Sequence, residues 1–66
     1  MRVLINGEGR EVPQGATVAA LLGELQLPAE RVAIERNRDI LPRALWAATR
    51  VEAGDSYEIV QLVGGG

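Results

Sequence analysis

Arg2-Val3-Leu4-Ile5-Asn6-Gly7 and, further on, Thr17-Val18-Ala19-Ala20-Leu21-Leu22-Gly23-Glu24-Leu25 decide the fold. The first run is rich in apolar and β-branched residues and stops at Asn-Gly, a dipeptide that accepts positive φ and so marks a tight hairpin. Arg10-Glu11-Val12 is expected to pair back as a short second strand, which Pro13 and Gly15 close. In the second run Val18, Leu21, Leu22 and Leu25 recur at i, i+3, i+4 and i+7, one stripe of a helix. Thr17 is its expected N-cap, without the Glu or Gln that would complete a capping box, and Pro28 limits its length. A stripe of this kind needs a sheet to cover.

The strands that follow provide one. Val32, Ile34 and Arg36 alternate with Ala33 and Glu35 up to a turn at Asn37-Arg38-Asp39, and Ile40-Leu41 resumes apolar character before Pro42. Arg43 to Thr49 has the composition of a short helix or 3₁₀ turn. Gly54-Asp55 marks another turn, and Tyr57 to Val63 reads as a strong final strand. Hairpin, helix, strand, short elements and final strand give an α+β fold, one main helix on one face of a mixed sheet. A right-handed crossover through the helix makes the next strand parallel to one of the first two. The β-grasp (ubiquitin-like) arrangement is the simplest solution. Its expected core is Val3, Ile5, Val18, Leu21, Leu22, Leu25, Val32, Ile34, Ile40 and Ile59. Residues 1–63 are read as the domain and 64–66 as a flexible C-terminal glycine tail.

At 66 residues there is room for one core, and a core of this size rarely supplies more than about 3–5 kcal/mol. With no Cys and no His, disulfides and the commonest zinc ligands are absent, so packing must hold the fold and no metal site is expected. The net charge is −2, and no basic stripe exists for a phosphate backbone, so nucleic acid is not an expected partner. No apolar run approaches the ~20 residues of a membrane span, and no signal peptide leads the chain; a soluble cytoplasmic protein is expected. All seven basic residues are Arg. A protein carrying an activated acyl group benefits from having no side-chain amine to attack it. Codon composition or growth temperature gives the same bias and is the preferred explanation.

Val63-Gly64-Gly65-Gly66 is the one segment that the fold does not need. Either it is a frayed end, or its lack of Cβ atoms lets it thread a channel and deliver the terminal carboxylate to a partner's buried site. That carboxyl, with an ordinary pKa of about 3.3–3.7, is ionised at neutral pH and a poor electrophile. Adenylation by ATP would give it a leaving group, AMP. A sulfur nucleophile such as a persulfide could then displace AMP and leave a thiocarboxylate on Gly66. No other group in the chain has the makings of a reactive centre.

Ile5-Asn6-Gly7-Glu8, Val12-Pro13-Gln14-Gly15-Ala16-Thr17-Val18 with Leu21-Leu22, and Val32-Ala33-Ile34-Glu35-Arg36-Asn37 resemble the bacterial sulfur carrier family of thiamine biosynthesis, ThiS. So, in order and spacing, do Ile40, Pro42-Arg43, Trp46, Thr49, Gly54-Asp55, Glu58-Ile59-Val60 and the closing Val63-Gly64-Gly65-Gly66. The resemblance covers essentially the whole chain; Leu41, Ala44 and a third glycine are its small departures. It implies a β-grasp carrier that catalyses no step and binds no cofactor of its own. Gly66 would be adenylated by an ATP-using, E1-like ThiF adenylyltransferase and converted to a thiocarboxylate, the sulfur coming from a donor such as a cysteine desulfurase. Thiazole synthase, ThiG, would receive the sulfur. Gly64 and Gly65 would let Gly66 reach both active sites.

Carriers for molybdopterin synthesis or tRNA thiolation share this chemistry. A ubiquitin-like protein modifier needs the same activation with a lysine acceptor, and a plain interaction module with an inert tail needs none. Trp46 could dock a partner, but as the only Trp of a small domain it is read as a core lid. Leu62 and Val63 could form a docking patch beside the tail or continue core alternation; successive strand residues face opposite ways, so one of them is left outside. The charges of Arg43, Arg50, Glu52, Asp55 and Glu58 are expected to be solvated, with no role.

Overall fold

Asn6 and Gly7 both take positive φ, 52° and 84°, and form the two-residue turn that the dipeptide predicts. In this computed structural model, which describes residues 1–62, the turn joins β1 (Arg2–Ile5) to β2 (Glu8–Glu11) with Ile5 opposite Glu8. β2 therefore begins two residues earlier than Arg10. It is an exposed edge strand, so the turn sets its register rather than any apolar pattern.

The helix α1 spans Val18–Leu25, and the Thr17 hydroxyl accepts the Ala20 amide at 3.1 Å, the expected N-cap. Gln26 stops it in the left-handed region, φ 58°, and the Leu27 amide closes back onto the Leu22 carbonyl. β3 (Val32–Arg36) and β4 (Asp39–Ile40) flank a second turn, Asn37-Arg38, whose φ values are again positive. A 3₁₀ turn, Arg43–Leu45, leads towards β5 (Ser56–Gln61).

The strand order is β2-β1-β5-β3-β4. β5 lies in the centre, parallel to β1 and antiparallel to β3. β3 thus runs in the sense of β2, as the crossover requires, without pairing to it. α1 packs on one face; Val3, Val18, Leu21, Leu22, Val32, Ile34 and Ile59 are buried as expected, with Ile5 and Leu25 at the core's margin.

Ile40 is the exception, 78% exposed. It sits opposite Glu35, and because Ile34 points inward, Glu35 and its neighbour across the ladder must point outward. Val12, Val51 and Tyr57 join the core instead. Trp46 is buried as the lid, its indole N–H donating to the Leu41 carbonyl at 2.9 Å while the Arg43 guanidinium lies 5.7 Å from the ring centre.

Candidate functional site

Val63, Gly64, Gly65 and Gly66 lie outside the described residues, so the site is approached through the strand that leads to them. β5 is held on both sides almost to its end. On one side it pairs with β3 as far as Val32–Gln61, and the Leu62 amide donates to the Arg31 carbonyl at 2.6 Å. On the other side β1 has already turned away at Asn6, and the Asn6 side chain takes over. Its Oδ1 accepts the Ile59 amide at 2.8 Å and its Nδ2 donates to the Ile59 carbonyl at 3.1 Å. A side-chain amide presents one acceptor and two donors, as a peptide unit would, so Asn6 extends the ladder by one step. The sequence identifies Asn6 only as a turn residue; this second duty depends on a partner 53 positions away.

At its other end β5 starts in a buried polar cluster. Asp55, 6% exposed, is not the solvated charge expected of a turn residue. Its Oδ2 accepts from Arg36 Nε at 3.0 Å, the Tyr57 hydroxyl at 2.8 Å and the Glu52 amide at 2.9 Å, and its Oδ1 accepts from Asn37 Nδ2 at 3.3 Å. Burial alone would raise the Asp55 pKa, but these donors together hold it below the usual carboxylate range. The buried Tyr57 hydroxyl is pushed well above its ordinary value, first by burial and then by its bond to Asp55. Arg36 is raised, chiefly by the same carboxylate. Every oxygen here is engaged in bonds between elements, so the cluster fastens β3, β5 and the preceding turn.

The sheet face turned away from α1 is different. Val60 and Leu62 are 57% and 53% exposed and lie on the same side of β5, followed at once by the tail. Ala33 faces Val60, Glu35 faces Glu58, and Ile40 stands on the far side of Glu35. Of the two docking residues read from sequence, Leu62 is therefore an exposed apolar side chain beside the tail, and Val63 is not described. A depression of about 370 Å³ is lined by Ile5, Leu25, Leu27 and Ile59 together with residues of the β1–β2 hairpin. Among the described residues no helix is long and apolar enough to cross a membrane.

A mixed five-stranded sheet of this order, its two hairpin arms joined by parallel β1 and β5 and one face covered by a single helix, defines a β-grasp domain whose last strand delivers the C-terminal segment. The solved structures agree: the crystal structure of the thiamine biosynthesis protein ThiS from Geobacter metallireducens matches with a TM-score of 0.86 at 35% identity, covering all of both chains. The chain belongs to the ThiS family, whose model matches residues 3–66. It is 33% identical to the sulfur carrier protein ThiS of Escherichia coli over the full length of both. It is also 47% identical, over all its 66 residues, to a thiazole synthase of Paramagnetospirillum magneticum, of which it spans only 20%.

Proposed function

We propose that the chain is a sulfur carrier of thiamine biosynthesis, loaded as a thiocarboxylate on Gly66 and delivered by Gly64 and Gly65. The observation that carries this reading is the extent of the family match, which runs through the last glycine. End-to-end likeness to a sulfur carrier of the same length supports it. The carboxylate is first adenylated with ATP by a ThiF-like enzyme, releasing pyrophosphate. A persulfide from a donor such as a cysteine desulfurase then displaces AMP, and a second thiol cleaves the resulting acyl persulfide to leave the thiocarboxylate. The likeness to part of a protein named thiazole synthase supports a ThiG-type synthase as the receiver. These reactions belong to the cytoplasm.

The β-grasp body serves this chemistry as a handle. Its ladder is closed on both sides up to Ile59 and on one side to Leu62, so a partner gripping the sheet fixes where the tail begins. Three glycines then reach through a passage too narrow for side chains.

Intact-mass measurement after incubation with the adenylyltransferase, ATP and a sulfur source tests the proposal. Exchange of one oxygen for sulfur is expected in the full chain and none in a chain lacking Gly66. No mass change with an active enzyme overturns it, and a conjugate to a lysine acceptor would make the chain a protein modifier instead.

A further inference from the structure

Glu35 and Glu58 stand directly opposite each other across β3 and β5, on the sheet face away from α1. Like charges at such positions weaken the strand pairing. Neither carboxylate has an ion-pair partner among the described residues: the ion pairs there join Glu11 to Met1 and Arg2, and Arg36 to Glu52 and Asp55. Among the described residues the free chain thus holds two acids side by side with no ion pair to neutralise them.

The surroundings of the pair are apolar. Ile40 flanks Glu35, Val60 and Ala33 fill the next row of the ladder, and these residues line a shallow depression of about 180 Å³ with both carboxylates in its wall. A partner that covers Ile40 and Val60 must also dry Glu35 and Glu58. Two carboxylates lose water at a large cost unless a cation enters with the partner. A guanidinium fits this demand, because its planar fork of five donors can engage both acids at once, whereas an ammonium meets them as a point.

We propose that this face docks the thiazole synthase through an arginine, ringed by apolar side chains, that enters between Glu35 and Glu58. The inference rests on the carrier reading. Val60 and Leu62 carry exposed apolar surface towards the tail, so either enzyme that receives the tail can cover the patch. The synthase is singled out because a span like this chain forms part of a thiazole synthase. In the free chain the two acids repel; in the complex the same proximity doubles the attraction for one cation and rejects partners that bring an acid.

The test compares the full-length wild type with E35Q/E58Q and with E58R, by titration calorimetry against the cognate thiazole synthase at two salt concentrations. The double variant is expected to bind about tenfold more weakly or worse at low salt, to lose most of its salt dependence, and to melt no lower than the wild type. E58R, which meets the arginine with a like charge, is expected to bind more weakly still. Wild-type affinity and salt dependence in E35Q/E58Q would overturn the proposal. So would normal synthase binding combined with lost sulfur loading, which would assign the face to the activating enzyme. Sulfur loading of the wild type, followed by mass, keeps the two readings apart: loading without a charge effect on synthase binding sinks only the docking surface, and failure to load sinks the carrier reading beneath it.

Discussion

The two ends of β5 follow opposite rules. Where the strand begins, Asp55 and Tyr57 are buried, the Tyr57 hydroxyl donates to Asp55, and both Asp55 oxygens are tied to the β3 end through Arg36 and Asn37. Where it ends, Val60 and Leu62 are about half exposed, and the strand is held by backbone bonds and by the Asn6 side chain at Ile59. A small core has little free energy to spare, and this one concentrates its side-chain bonding away from the tail. The exit end keeps apolar surface uncovered, which is what an interface needs and what a fold would otherwise bury.

Removing the entry cluster gives the largest expected effect. Asp55→Ala leaves the Tyr57 hydroxyl, the Glu52 amide and Arg36 without their acceptor, a loss of about 3 kcal/mol or more. For a domain with about 3–5 kcal/mol in hand, urea melts should find much of the variant unfolded at room temperature. The milder Asp55→Asn should separate charge from packing through pH. The folded Asp55 pKa lies below its unfolded value, so its contribution is present above the unfolded pKa and is lost as pH falls through the folded one. Tyr57 has the reverse sign: its raised pKa stabilises the fold below about pH 10, the ordinary Tyr value, and that support is lost as pH climbs beyond it. The wild type should weaken at both limits, and Asp55→Asn should show a shallower acid limb.

Asn6→Ala comes next. It removes both bonds to Ile59 and places an ordinary side chain at φ 52°, for an expected loss of about 1–2 kcal/mol. Asn6→Gly keeps the turn and loses only the bonds, so its own drop in thermal melting below the wild type reports the ladder extension, and the further drop in Asn6→Ala reports the side chain at positive φ. Hydrogen exchange at the Ile59 amide should quicken in both; unchanged protection would mean that β3 alone holds the exit end. In the other direction, Arg38→Gly relieves a positive φ of 73° in the β3–β4 turn beside the entry cluster. It should stabilise the fold by about 0.5–1 kcal/mol, as its melting temperature will report.

What the sequence revealed follows the range of the interactions. The helix was legible because its stripe and its Thr17 cap involve neighbours three or four apart, and both hairpin turns because Asn6 and Asn37 announce positive φ locally. Asp55 was not legible: Arg36 and Asn37 lie 19 and 18 positions away and reach it only when β3 and β5 pair. A signal was nevertheless present in Tyr57, two residues before the core residue Ile59 and so on the same face, with a hydroxyl that burial obliges to find a partner. Ile40 has the apolar character of a core residue, but its register, facing Glu35, puts it outside. Of the site, Leu62 could be named from its position next to the glycines, whereas the pairing of Glu35 with Glu58 needs the ladder. The glycines themselves bear their meaning in composition and lie outside the described residues.

The smallest expected change in stability makes the sharpest test of the contrast. Leu62 is half exposed, and its amide donates to the Arg31 carbonyl, a bond that a side-chain substitution leaves in place. Leu62→Asp should therefore shift folding free energy by no more than about 0.5 kcal/mol, the usual range for surface substitutions. Docking should suffer far more, because a buried leucine contributes about 1.5–3 kcal/mol and a carboxylate in its place must lose water or push the partner away. Thermal melting and affinity for the adenylyltransferase and the synthase, measured on one preparation, put the two ends of β5 on the same scale. An unchanged melt with binding weakened about tenfold or more would establish the exit end as a surface kept for partners. A lowered melt with both affinities intact would reverse the assignment, making Leu62 part of the fold and leaving the tail to find its partners unaided.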